Sequence, residues 1–170
     1  ENRIQKWAPG ATEGVTVAGG NGQGSAANQL WTPYDIAVDA SGNLYIADSF
    51  NGRIQKWVPG AATGTTVITN AYNVSGLAID AESNLYVLKD SMVLKFPSNA
   101  TSTTTGTVVA GGAYGSAANQ LSGANGIAVD ASGNVYVADS QNNRIQKWAP
   151  GASEGTTVAG GNGAGSAANQ

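Results

Sequence analysis

The chain has 170 residues, a formal net charge of −3 and an abundance of Gly, Ala, Ser, Thr and Asn. That acidic balance speaks against a nucleic-acid footprint, which shows as a basic stripe. Cysteine and histidine are both absent. Disulfides and Cys-rich metal sites are thereby excluded, and so are the commonest metal ligand and the commonest general base near neutral pH.

From the N-terminus, "RIQKWAPG" at Arg3 opens a segment, Asn2 to Gln29, that returns almost unchanged as Asn143 to Gln170. Next comes "DIAVDASGNLYIAD" from Asp35, matched later by "GLAIDAESNLYVLK" from Gly76 and "GIAVDASGNVYVAD" from Gly126. Their aspartates Asp39, Asp80 and Asp130 lie 41 and then 50 residues apart. Each copy is followed by a second element, "RIQKWVPG" at Arg53, "MVLKFPSN" at Met92 and "RIQKWAPG" at Arg144. A third element, such as "TTVIT" or "TTVAGG", comes next, and "GSAANQ" links to the following unit. The middle unit lacks that linker before it, which accounts for its shorter spacing.

Each unit reads as four short strands. In the first full unit these fall around Ile36–Val38, Leu44–Ala47, Ile54–Trp57 and Thr66–Ile68. Ala-Ser-Gly-Asn between the first two is hairpin chemistry, and the third and fourth are rich in β-branched residues bounded by Pro-Gly or Gly-Gly. No segment carries a helical period. Four-strand units of this length predict an all-β fold of β-propeller blades. A single propeller segment over 1–170 is expected: 1–29 a half-blade and linker, 30–70 a blade, 71–120 a divergent blade with linker, and 121–170 a blade with linker. Half a blade plus three full ones is an incomplete ring. Glu1 stands where a Met would begin a complete chain, so a processed or excised piece of something longer is expected. No apolar run reaches membrane-spanning length and no signal-peptide pattern is seen.

The string "GIAVDASGNVYVADSQNNRIQKW" from Gly126 resembles the NHL repeat, the blade type of NHL-domain propellers. The resemblance extends over nearly the whole chain. It implies rings that are more often six-bladed than four-bladed. It implies no single function, because function resides in sites grafted on folds. NHL-like lyases use metal-binding histidines, which this chain lacks. NHL-like sensor and RNA-binding domains suggest a binding role by analogy.

Asp48 and Arg53 flank the predicted turn between strands two and three, and Asp139 and Arg144 repeat that spacing. The middle unit has Lys89 and Met92 instead, so both members are lost together. That joint loss points to structural pairs fastening the turn, with a ligand-facing ring of charge as the alternative. Asp39, Asp80 and Asp130 read as turn starters, the alternative being channel-lining or Ca²⁺-binding carboxylates. Trp7, Trp57 and Trp148, with Phe96 in register, read as packing between blades rather than as a sugar-stacking ladder. The Gly19–Gly22 stretch lacks the Lys-Ser/Thr and strand-to-helix context of a phosphate loop. Asn73 and Asn99 begin N-x-Ser/Thr sequons, and both fall in the divergent blade; their number is what chance supplies.

No catalytic residue, metal or cofactor is expected. The reading that follows is a non-enzymatic, secreted structural or interaction scaffold, part of a longer array or of a head-to-tail fibre or coat. Its partners would be copies of itself or adjacent repeats, together with glycans, and neither nucleic acid nor a membrane span. The alternative is a sensor or recognition propeller for a peptide or glycan.

Overall fold

A computed structural model describes residues 2–170. Its strands alternate with tight turns and carry no α-helix among the described residues. β1 (Arg3–Lys6) and β2 (Val15–Gly19) make a two-stranded sheet. Three four-stranded sheets follow in chain order. They are β3–β6 (Pro33–Val38, Leu44–Asp48, Arg53–Trp57, Thr65–Thr69) and β7–β10 (Val74–Ile79, Leu85–Lys89, Met92–Phe96, Thr107–Gly111). The last is β11–β14 (Ala124–Val129, Val135–Asp139, Arg144–Trp148, Thr156–Gly160). Every neighbouring pair is antiparallel and consecutive in sequence. Such meanders need only short turns, which is why Asn, Gly and Pro-Gly punctuate the chain so regularly.

The first strand of each sheet begins earlier than its apolar run. β3 starts at Pro33, a position that a sheet tolerates because the first residue of a strand need not donate. The register then slips between Pro33 and Ile36, and equivalent slips occur in β7 and β11. A 3-10 turn, Ser49–Asn51, joins β4 to β5, and Ser140–Asn142 joins β12 to β13.

The chain divides into two compact units. One comprises the residues up to Asn73 with Ala100–Thr104 added; there the Thr69 hydroxyl donates to the Ser102 carbonyl at 3.0 Å. Its core holds Ala18, Leu30, Ile46 and Trp57, with Ile4 and Leu44 packed on. The other comprises Val74–Asn99 and Thr105–Gln170, around Tyr86, Leu88, Val93, Leu121, Val137 and Trp148. Leu30 and Leu121, one residue beyond the linkers, are fully buried. Each needs a glycine beside it. A Cβ on Gly111 would come 2.7 Å from the Leu121 Cδ1, one on Gly19 would come 2.9 Å from the Leu30 Cδ1, and both glycines have φ near +67° (+66° and +68°).

Candidate functional site

β4 and β5 pair in register so that Asp48 lies directly opposite Arg53. Asp48 has no solvent exposure, and a buried carboxylate is tolerated only when its charge is matched and its lone pairs are filled. Both conditions are met. Arg53 Nε and Asn51 Nδ2 donate to Asp48 Oδ2 at 2.7 and 2.8 Å, and the Trp31 N–H donates to Oδ1 at 2.6 Å.

Arg53 then reaches outward. Its Nη1 donates to the Ser25 carbonyl at 2.8 Å, and Nη2 donates to those of Ala26 and Gln29 at 3.0 Å each. Asn51 Nδ2 also donates to the Gly24 carbonyl at 2.9 Å. The planar guanidinium fork thus holds the carboxylate on one side and the GSAANQ linker on the other, a task lysine could not perform.

The second unit repeats the arrangement. Asp139 accepts from Arg144 Nε at 2.7 Å, Asn142 Nδ2 at 2.8 Å and the Ser122 N–H at 2.6 Å. Arg144 Nη2 donates to the carbonyls of Ala117 and Gln120 at 2.9 and 3.1 Å, and Asn142 donates to that of Gly115 at 2.9 Å. These clamps explain the joint loss in the middle unit. That unit has no linker in front of it to hold, and Lys89 there pairs with Asp90 at 3.4 Å.

The clamp asparagines and the linker carbonyls were not singled out from the sequence. A carbonyl acceptor has no side-chain signature, although the deletion of linker and clamp together was a usable sign. The linkers are also folded on themselves. The Gln29 side chain accepts from the Ala26 N–H at 3.3 Å, and Gln120 accepts from the Ala117 N–H at 3.1 Å.

Asp39, Asp80 and Asp130 each open a turn. In the last, Oδ1 accepts the N–H groups of Ser132 and Asn134 at 3.0 and 2.9 Å, while Oδ2 accepts Asn134 Nδ2 at 2.8 Å and the Tyr136 hydroxyl at 3.0 Å. Lys147 stands over the Tyr136 ring, as Lys56 does over Tyr45 and Lys95 over Tyr86. The side-chain bond from Asn134, with its N–H and the tyrosine, pulls Asp130 down to about 2 against a lesser opposing effect of burial. For Asp39 and Asp80 burial pushes upward, and the combined hydrogen bonds of Asn43 or Asn84 and their neighbours outweigh it, leaving both below the usual carboxylate value. Their oxygens are thus occupied by their own turns. Among the described residues no three His, Cys, Asp or Glu side chains gather as a metal would require.

Trp57, Phe96 and Trp148 are buried at 3, 4 and 1% exposure, whereas Trp7 is 57% exposed. Trp57 Nε1 donates to Gln55 Oε1 at 2.8 Å, which satisfies its one polar atom inside the core. Asn73 and Asn99 are both exposed in turns, Asn73 with φ +56°. No described helix is long and apolar enough to cross a membrane.

Four-stranded antiparallel meanders, repeated along the chain and fastened by their linkers, define β-propeller blades. Two of the blades match the NHL repeat profile, over residues 30–57 and 121–148. Among solved structures the chain is similar to an auxiliary nutrient binding protein from Bacteroides ovatus, with TM-score 0.69 and 15% identity over 89% of this chain and 39% of that one. It is also similar to a catalytically inactive virginiamycin B lyase from Staphylococcus aureus with quinupristin (TM-score 0.56, 15% identity, 88% of this chain and 48% of that). A third likeness is to the WD40 β-propeller domain of Doa1 (TM-score 0.54, 21% identity, 71% and 38%). The chain therefore spans less than half the length of each, and the likeness is one of fold. No curated protein matches the sequence significantly.

Proposed function

We propose that this NHL propeller segment is a non-enzymatic extracellular scaffold, part of a longer repeat array or of a head-to-tail assembly such as a fibre or coat. One observation carries the reading. The recurring aspartates and the two arginines opposite them are committed to fastening: Asp48, Arg53, Asp139 and Arg144 to linkers, and Asp39, Asp80 and Asp130 to turns. A catalytic carboxylate pair needs oxygens open to substrate and separated environments. Here the oxygens face inward to backbone and amide donors. The absence of histidine supports the same reading, since no imidazole stands ready as a base.

Repeats that fasten to their neighbours by a standard joint suit extension, because head-to-tail contacts propagate when rotation does not close them. In a secreted chain the exposed Asn73 and Asn99 are placed to accept glycan. Sedimentation velocity without any ligand tests the proposal: a scaffold shifts to larger species as its concentration rises, and a species of constant size at all concentrations refutes it. The recognition reading, with one face taking a peptide or glycan, is favoured by the exposed aromatic rings of the first unit.

A further inference from the structure

Residues 30–57 and 121–148 align one to one, and differ only at positions 31–35, 44, 46, 50 and 52 of the first copy. Positions 44 and 46 exchange Leu or Ile for Val. The rest sit at the start of the first strand and in the turn between strands two and three. Backbone bonds bring these places together: the Phe50 N–H donates to the Trp31 carbonyl at 3.3 Å, and the Gln141 N–H donates to that of Ser122 at 3.1 Å. An invariant clamp thus displays a variable pair of side chains.

The two pairs differ in kind. Ser122 and Tyr114 both donate to Gln141 Oε1, at 2.6 and 2.9 Å, and close a polar knot. Trp31 and Phe50 instead stack with centroids 5.4 Å apart and planes 26° from parallel, 37 and 62% exposed. A third ring, Tyr72, is 53% exposed and lies against Gly52, where any Cβ would collide with it. The other copy has Asn143 at that place, in the same left-handed conformation. Glycine there makes room for the tyrosine.

The rings are not required by the fold, since the same clamp forms around Ser122 and Gln141. Nor does the turn offer fixed charge, because Asp48 and Arg53 are spent on each other and on the linker. At roughly 200 Å² per ring, their exposed part amounts to about 300 Å². A stable protein partner needs about 800 Å² per side. The chemistry that fits is small, uncharged and flat, with an apolar face and a polar edge.

We propose that Trp31, Phe50 and Tyr72 form a binding face for a neutral saccharide. A pyranose ring lays its C–H face on the aromatic rings and turns its hydroxyls to Thr32, next to Trp31, and to Gln23, whose backbone bridges Leu30; both are exposed. This inference rests on the recognition reading and names its ligand class; it does not depend on self-assembly.

The experiment uses the full chain against immobilised neutral oligosaccharides (gluco-, manno- and N-acetylglucosamine hexamers) and a proline-rich peptide. Tryptophan fluorescence titration of the best saccharide gives the affinity. Trp31→Ser with Phe50→Gln imports the side chains of the other copy and so preserves the fold, checked by an unchanged Tm. The expected result is saturable saccharide binding that falls at least about tenfold in that variant and severalfold in Tyr72→Ala. Saccharide binding that the variants leave unchanged overturns the proposal. If only the peptide binds, and the aromatic variant abolishes it, the recognition reading stands and the saccharide assignment falls. If nothing binds, both fall.

Discussion

Arg144→Met isolates what the clamp contributes. The substitution keeps a long apolar stem, and Met92 already occupies the matching place in the middle unit. It removes the 2.7 Å bond to Asp139 and the bonds to the Ala117 and Gln120 carbonyls. Asp139 is left fully buried with only Asn142 and the Ser122 N–H as donors. Breaking a buried ion pair by deleting one partner costs about 3–5 kcal/mol. The Arg144 side chain is 11% exposed, so some water reaches the orphaned carboxylate and the low end, about 3 kcal/mol, applies. Asp139→Asn alone keeps an oxygen for the Ser122 N–H but leaves the guanidinium unpaired. The double variant removes both charges, so its loss falls short of the sum by about 2 kcal/mol. Urea unfolding of the four proteins followed by tryptophan fluorescence gives the cycle. Single losses below about 1 kcal/mol, or an additive double variant, would refute the reasoning.

Acid should loosen the turns. Asp130 titrates at about 2 when folded against an ordinary 3.8, so its stabilisation is complete above the ordinary value and is lost as pH falls from near 4 towards 2. Asp39 and Asp80, also lowered, lose theirs in the same direction. Carboxyl NMR titration checks all three, and an Asp130 midpoint at or above 3.8 would contradict the turn geometry. Trp148→Ala, at a 1% exposed site, should cost about 3–5 kcal/mol. Trp7→Ala, from the same RIQKW context but 57% exposed, should cost less than about 1 kcal/mol; equal costs would mean that both rings are buried in solution.

The strands were legible because their chemistry is local. Asp39-Ala-Ser-Gly-Asn43 encodes a hairpin whatever surrounds it, and β-branched runs such as Thr65–Thr69 can do little but extend. The pairing of Asp48 with Arg53 could be suspected from within one chain, because the middle unit dispenses with both. The carbonyls of Ser25, Ala26 and Gln29 could not be named, since any residue supplies one and only the folded linker aims them at the guanidinium. Trp7 and Trp148 show the same limit: identical neighbours in sequence, opposite burial, because burial is set by what packs from elsewhere. Trp31 and Phe50 are remote in sequence and carry no motif; only the antiparallel pairing of β3 with β4 sets them side by side.

The claim that the paired Asp and Arg side chains serve to hold linkers is tested most directly by hydrogen exchange on wild-type and Arg144→Met protein. In the second unit the Gly115 and Gln120 amides lie in the linker, and Gly155 donates to its Ala118 carbonyl. Gly24, Gln29 and Gly64 are the counterparts in the first unit. The account predicts faster exchange at Gly115, Gln120 and Gly155 in the variant, with Gly24, Gln29 and Gly64 unchanged. Unchanged rates at both sets would contradict it, and would mean that the linkers hold their conformation without the arginine.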